Sequence, residues 1–404
     1  MKVSYLLTGF GHTGGSMVLY NFMDKLCERG YEVFAVTPGE VIGWKPGFSR
    51  QLIKQKFQNV GLYKRIFEIA VPLAKRIKLL DRLGRMILRL PPAEVGDYLK
   101  WLTKNLLINC PKSDVIIATY HMTAFAAYLL MDNSVPFYHM QHYEEVFGND
   151  DLSRKIARLT YYMPLVLIAN SRWLQNQIKK RIGRDSMLLN PGINTSIFYP
   201  RRPLSEKYRL MEPLRIVSYY SPLKFKAWDE AVTAMDMVLR KLSLRKVEWV
   251  VFGGAPLVKP TVPCKFVGRV FGESLAELYS SAHIVFMNSW YESFPLPPLE
   301  AMACGTAVVT TRLGTEDYAF DGENSIVVPP RDPMSLAEAI LRLADDPILA
   351  QRLAEEGIAT AKQFTWDRAT DQLEQILSEG IKKPPSEPFK DINGLVRGML
   401  HETR

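Results

Sequence analysis

Cysteine is scarce in this sequence of 404 residues: Cys27, Cys110, Cys264 and Cys304 stand far apart, with no C-x-x-C pair and no metal-ligand rhythm. That distribution argues against a disulfide framework or a structural zinc site and fits a reducing compartment. Long apolar runs are missing too. The longest nearly uncharged stretch, Val115 to Met131, contains His121 and sits at the lower limit of bilayer-spanning length. It reads better as a buried strand running into a helix, so no transmembrane helix is expected. Lys2 precedes only a short apolar strand, without the longer apolar stretch and cleavage site of a secretory signal, so a cytoplasmic location is expected. Low-complexity tracts and fixed-period repeats are absent.

What is present suits two domains, since 404 residues with 47 % apolar content exceed one ordinary core and supply two. The formal net charge of +9 is unevenly placed. Between Lys45 and Lys104 there are 14 Lys/Arg against 4 Asp/Glu, a local excess of 14 − 4 = +10. Apolar residues interleave with this charge, as in Leu62 to Ala70 and Lys75 to Leu83, giving basic amphipathic helices. Such helices could lie on an anionic membrane surface, as a peripheral protein on its inner face, or simply present a solvated face. No nucleic-acid-binding motif accompanies the charge, so nucleic acid is not an expected partner.

A strand at Lys2–Thr8, a glycine-rich turn, a helix near Ser16–Arg29 and a strand at Tyr31–Val36 make a β-α-β unit. Buried strands at 114–119, 136–140 and 165–169 continue an α/β pattern with a parallel sheet covered on both faces. A stretch rich in charge and proline, Pro200 to Pro213, separates this from a second series that starts at Leu214 and runs through strands near 247–252, 264–267, 284–287, 307–310 and 325–328. The expected division is therefore 1–200 and 201–380, two doubly wound Rossmann-like domains, with a tail helix in 381–404.

Gly9-Phe-Gly-His-Thr-Gly-Gly15 matches G-x-G-x-x-G between a strand and a helix. A nicotinamide site would also place an Asp or Glu at the end of the second strand, whereas this one ends Val36-Thr37-Pro38. The turn reads as backbone N–H groups and a helix N-terminus facing an anion such as a diphosphate, or as a purely structural turn. The more informative run is Asn288 to Thr311. Its prolines permit helix only from about the first turn, placing Glu292 on the loop and Glu300 early in the helix. Carboxylates there are strong acceptors for sugar hydroxyls, while helix N-terminal amides remain free for phosphate. One carboxylate for a transferred sugar and one for a nucleoside ribose fits a nucleotide-diphosphate sugar, and two carboxylates that merely cap a helix are the plainer alternative.

Glu292 and Glu300, with seven residues between them and Ala-Met-Ala-Cys-Gly-Thr following, resemble the E-x7-E signature of retaining family 4 glycosyltransferases with the GT-B fold. The similarity extends to Gly14-Gly15, Ile168 to Trp173, Leu189 to Asn194, Phe266-Val-Gly268 and Asp321 to Pro333. The resemblance implies that Glu292 contacts the donor sugar and Glu300 the ribose hydroxyls, in a cleft between the two domains. It likewise puts Gly15, Gly268 and the run Ser293-Phe294-Pro295-Leu296 on the donor. The family's phosphate-binding arginine falls at Ser221, and Lys226, followed by Ala227, matches the lysine five residues on; Lys224 is a candidate replacement for the arginine. His121 matches a histidine beside the reacting sugar, orienting it without acting as nucleophile, and Arg172 is a candidate acceptor contact behind the N-cap Ser171. Tyr138 to Glu145 resembles a pattern of polysaccharide-type rhamnosyltransferases, with His142 where an aspartate is common. Leu313-Gly-Thr-Glu-Asp317 is a degraded form of the family's Gly-Gly-x-x-Glu.

No Asp-x-Asp motif follows a strand in either half, so no metal and no cofactor are expected, with lysine and helix N-termini supplying positive charge. The activity implied is retaining transfer of a hexosyl or deoxyhexosyl unit from a nucleotide-diphosphate sugar to a hydroxyl of a glycan or lipid-linked acceptor. A GT-B-type sugar-nucleotide epimerase and a non-catalytic nucleotide-sugar-binding subunit of a glycan-assembly complex are the alternatives.

Overall fold

The computed structural model describes residues 1–11, 13–49, 92, 94–148, 150–209, 211, 213–254, 260–385 and 392–401, so most of the basic segment 45–104 lies outside the described residues. The chain divides into two compact units: Met1–Asn170 with Gln175–Leu189 and Thr370–Arg404, and Ser171–Leu174 with Asn190–Ala369. The cut falls about ten residues before the proline-rich stretch, because Asn190 to Asn194 already pack with the second unit. Thr370 onward returns to the first unit, so the expected tail is longer than a single terminal helix.

In the first unit the sheet order is β3-β2-β1-β4-β5-β6-β7. The strands are β1 (Lys2–Leu6), β2 (Glu32–Val36), β3 (Val41–Gly43), β4 (Val115–Ala118), β5 (Val135–Met140), β6 (Val166–Ala169) and β7 (Met187–Leu188). All neighbours pair in parallel except β2 and β3. The Val- and Ile-rich strands are buried on both faces, as a parallel sheet requires. Helix α1 (Gly14–Glu28) starts at Thr13, whose hydroxyl accepts from Ser16 N–H at 3.2 Å. Helices α2 (Val95–Asn109), α3 (His121–Leu129), α4 (Asp151–Thr160) and α5 (Arg172–Ile182) complete the connections described here.

The second unit repeats the plan. Its strands β8 (Leu214–Tyr220), β9 (Val247–Gly253), β10 (Lys265–Gly268), β11 (Ile284–Met287), β12 (Ala307–Thr311) and β13 (Ile326–Val328) lie in the order β10-β9-β8-β11-β12-β13, all parallel. Helices α6 (Leu204–Arg209), α7 (Trp228–Lys241), α8 (Gly272–Ser281), α9 (Leu296–Ala303), α10 (Pro333–Asp345) and α11 (Pro347–Ala361) cover the sheet. Asp332 and Asp346 cap α10 and α11, accepting from Ser335 N–H at 3.0 Å and Leu349 N–H at 2.9 Å, each before a proline at the first position. Helix α12 (Trp366–Lys382) starts in this unit and ends in the first. Helix α13 (Ile392–His401) belongs to the first unit, where Asn393 accepts from the Tyr128 hydroxyl.

In both sheets the strand order reverses beside the first strand of the series, between β1 and β4 and between β8 and β11. Loops leaving the carboxyl ends of such neighbours diverge, and a ligand crevice opens there. Sequence-distant loops also seat against each other backbone to backbone. A Cβ on Gly192 would lie 2.4 Å from Trp366 N, beside the bond from Ile193 N–H to Phe364 O. Gly192→Ala is therefore expected to lower stability by about 1–3 kcal/mol, seen as a drop in Tm. An unchanged Tm would show that this segment yields freely.

Candidate active site

The loop after β8 and the loop after β11 meet at the switch point of the second unit. Lys226 and Glu292 form an ion pair there, both side chains largely buried. Two hydrogen bonds and a ring stack also fix the two loops: Trp290 N–H donates to Phe225 O at 2.7 Å, Asn288 Nδ2 donates to Ala227 O at 2.8 Å, and the Phe225 and Tyr291 rings stack with centroids 5.0 Å apart. Ala227 adopts the left-handed conformation, φ 55°. An L-residue holds it at roughly 1–2 kcal/mol, so the turn that aims Lys226 stores strain.

Glu292 is held from below by the loop after β12. Its N–H donates to Leu313 O at 3.1 Å. Gly314, at φ 95°, packs so closely that a Cβ would lie 2.4 Å from Glu292 O. The glycine retained in this motif thus fits the backbone of the first glutamate. Asp317, four-residue neighbour of Leu313, accepts from Arg172 N–H at 3.0 Å with its carboxyl buried, and Ser171 caps the same turn by accepting from Leu174 N–H at 3.1 Å. Arg172 thus meets Asp317 twice, through its backbone N–H and through Nε at 3.7 Å from Oδ1, while most of its side chain remains exposed.

Glu300 lies in the second turn of α9. The residue is half-buried, and loss of water around its carboxyl pushes it from the ordinary 4.5 up to about 8. Tyr318 joins the two glutamates electrostatically: its phenol is held far above the ordinary range first by burial, then by Glu292, Asp317 and Glu300. Its hydroxyl donates to Pro295 O at 2.6 Å. The Phe294 ring is in the core, 5.2 Å from Tyr318 and 5.8 Å from Phe364, and Ser293 Oγ lies 3.5 Å from Ser171 Oγ. What Ser293 to Leu296 can offer a ligand is mainly backbone. Pro297 and Pro298 occupy the second and third positions of α9 and carry no N–H, so this helix start supplies fewer donors to an anion than an ordinary one.

Ser221 is buried and closes its own turn, accepting from Leu223 N–H at 3.4 Å. Lys224 is exposed, with Nζ 5.8 Å from the centre of the Trp290 ring, which Arg331 also covers at 4.1 Å. Gly268 ends β10 at φ 72°, where the register shifts against β9, so its conformation by itself accounts for glycine.

In the first unit, Gly15 and His121 stand at the carboxyl edges of β1 and β4, again neighbours. A Cβ on Gly14 would touch nothing and one on Gly15 would meet only Gln141 at 3.8 Å. Internal packing does not demand either glycine. His121 opens α3 and is buried. Its partner is Glu144, in the 3-10 turn Glu144–Phe147 after β5: Oε2 accepts from His121 N–H at 2.6 Å and lies 2.8 Å from Nδ1. Glu144 was not singled out from sequence, although an acidic pair after β5, the strand adjoining β4, was a usable signal. Among the described residues, no group of three or more His, Cys, Asp or Glu could hold a metal ion.

Residues 215–346 match the family of glycosyl transferases group 1. Curated relatives include the D-inositol 3-phosphate glycosyltransferase of Streptomyces bingchenggensis, 27 % identical over 307 residues, covering 67 % of each chain. The enzyme of that name from Corynebacterium diphtheriae is 27 % identical over 301 residues, 66 % of this chain and 70 % of that one. Across these matches the chain is similar to group 1, family 4-like glycosyltransferases. Solved structures agree on its fold: Anabaena Alr3699/HepE in complex with UDP-glucose has a TM-score of 0.68 at 16 % identity, covering 94 % of this chain and 100 % of that one. Sucrose-phosphate synthase from Thermosynechococcus elongatus has a TM-score of 0.64 at 17 % identity, covering 94 % and 98 %. Both place the chain in the GT-B fold class.

The raised carboxyl of Glu300 carries a sign. Between pH 4.5 and about 8 the folded protein retains a proton that the unfolded chain has released, so this group's stabilisation is lost as pH rises through that window. Glu300→Gln removes the term. The Tm of the variant relative to the parent is expected to rise from pH 5 to pH 8.5; a constant difference would mean the carboxyl titrates normally.

Proposed function

We propose that this glycosyltransferase performs retaining, metal-independent transfer of a hexosyl or deoxyhexosyl unit from a nucleotide-diphosphate sugar to a hydroxyl of a glycan or lipid-linked acceptor. The observation that carries this reading is the Lys226–Glu292 pair at the switch point of the second unit. Each partner satisfies the other until a donor arrives. A diphosphate would take over Lys226 and a sugar hydroxyl would take over Glu292, so the first contact strengthens as negative charge grows on the leaving phosphate and the second as positive charge grows on the sugar. Glu300 accepts from the ribose hydroxyls, Gly268 and the backbone of Ser293 to Leu296 line the donor, and Gly15 and His121 serve the reacting end.

Neither glutamate acts as nucleophile. In the front-face route implied by the family resemblance, a donor phosphate oxygen takes the acceptor proton as the sugar bond breaks. With Ser221 in place of the arginine and two prolines at the start of α9, Lys226 bears most of the phosphate charge. Lys224 is the weaker candidate, since its ammonium rests against Trp290. The names of the bacterial relatives add a phosphorylated inositol to the acceptors worth testing. The basic segment favours an acceptor held at an anionic membrane surface, on which the protein would sit peripherally.

A panel of UDP-, GDP- and dTDP-sugars without added metal, scored for nucleotide release with membrane-lipid extract or D-inositol 3-phosphate, tests the assignment. One donor should turn over, and Lys226→Ala should lower kcat by about 100- to 1000-fold, as loss of a transition-state charge partner does. The assignment fails if no donor turns over and Glu292→Ala and Glu300→Ala leave nucleotide affinity untouched. Separately, neutralising Lys75, Arg76 and Lys78, which lie outside the described residues, should weaken binding to phosphatidylserine vesicles by about 1 kcal/mol per charge. Equal binding by parent and variant at low salt would remove the membrane role.

A further inference from the structure

His121 Nε2 is buried and has no hydrogen-bond partner, although an orphaned polar atom of this kind is costly in a folded protein. The other side of the ring is fully engaged. Nδ1 lies 2.8 Å from Glu144 Oε2, a separation that requires a proton between them. The same oxygen accepts from the His121 backbone N–H at 2.6 Å. A proton placed on Oε2 would be driven against that N–H, so the shared proton belongs to Nδ1.

Glu144 is itself held firmly. Its N–H donates to the Tyr161 hydroxyl at 2.7 Å, and Tyr161 stacks on Tyr143 at 5.5 Å and Tyr138 at 6.1 Å. The carboxylate also faces the N-terminus of α3, whose dipole favours negative charge. Its field reaches Tyr120, Tyr138 and Tyr161, whose phenols are raised by burial first and by Glu144 second. The Tyr120 ring lies against the imidazole at 4.0 Å and limits its rotation.

We infer that Glu144 is a positioning residue that locks His121 in the Nδ1–H tautomer, leaving a bare Nε2 that accepts a hydrogen bond from one hydroxyl of the transferred sugar. A neutral acceptor suits a hydroxyl and not a phosphate oxygen, which has no proton to give. The pair would therefore select for a donor sugar carrying that hydroxyl, and this step rests on the sugar-transfer reading above. It places the specificity of the first unit in an interaction two residues deep, with Glu144 never touching substrate.

The test joins a spectrum to kinetics. In 15N-labelled protein, the His121 imidazole should show a protonated Nδ1 and a bare Nε2, and Nε2 should shift on adding UDP-glucose but not UDP. Glu144→Ala should release the tautomer and lower kcat at least tenfold with little change in UDP affinity. Glu144→Gln, whose side-chain carbonyl can accept from both N–H groups, should keep the tautomer and most of the activity. Among monodeoxy analogues of the donor that is turned over, one should behave with the parent enzyme as the intact donor does with His121→Ala. A proton on Nε2 in the parent protein overturns the proposal, as does a Glu144→Ala variant with the parent's tautomer and kcat. Should Glu144→Ala not fold, the parent spectrum and Glu144→Gln decide. If the tautomer is as described and no nucleotide sugar turns over, the lock stands and the transfer reading is what fails.

Discussion

The candidate site depends on one adjacency, that of β8 and β11. Some seventy residues separate these strands in the chain, yet their parallel pairing brings the loops at their carboxyl ends together. Lys226 can then meet Glu292, and the bonds from Trp290 and Asn288 to the backbone of the first loop make that meeting a fixed geometry. An ion pair between two loop side chains in open water contributes little. Here the flanking strands have already lost the entropy that would oppose it, so the pair can be held ready for a ligand that divides it.

Support for the pair comes from beneath and carries its own strain. Gly314 lets the loop after β12 press against the backbone of Glu292, and Ala227 accepts an unfavourable left-handed turn so that Lys226 faces the same way. The charge supply is lean, because Ser221 only closes its turn and Pro297 and Pro298 bring no N–H groups. In the proposed reading a donor diphosphate would lean chiefly on Lys226.

The first unit uses the same topological device for a different chemistry. Adjacent β4 and β5 bring His121 and Glu144 together, and the result is an imidazole fixed by a carboxylate where the second unit has a lysine–glutamate pair. In both places the proposed ligand contact is held by a second residue, Gly314 behind Glu292 and Glu144 behind His121.

Much of this was legible from sequence. Apolar runs of four to seven residues alternating with helical patterns specify parallel strands, because only strands covered on both faces can be apolar throughout. The proline run after Glu292 determines where α9 begins, and the E-x7-E spacing determines which carboxylates precede and enter it. The short strands β3 and β7 were not legible, since two or three residues carry no period. The partnership of Glu144 with His121, the seating of Gly314 on Glu292, the core position of the Phe294 ring and the raised carboxyl of Glu300 were decided only by the tertiary structure. Each depends on which strands become neighbours and how much water their packing removes, and neither quantity is a property of local sequence.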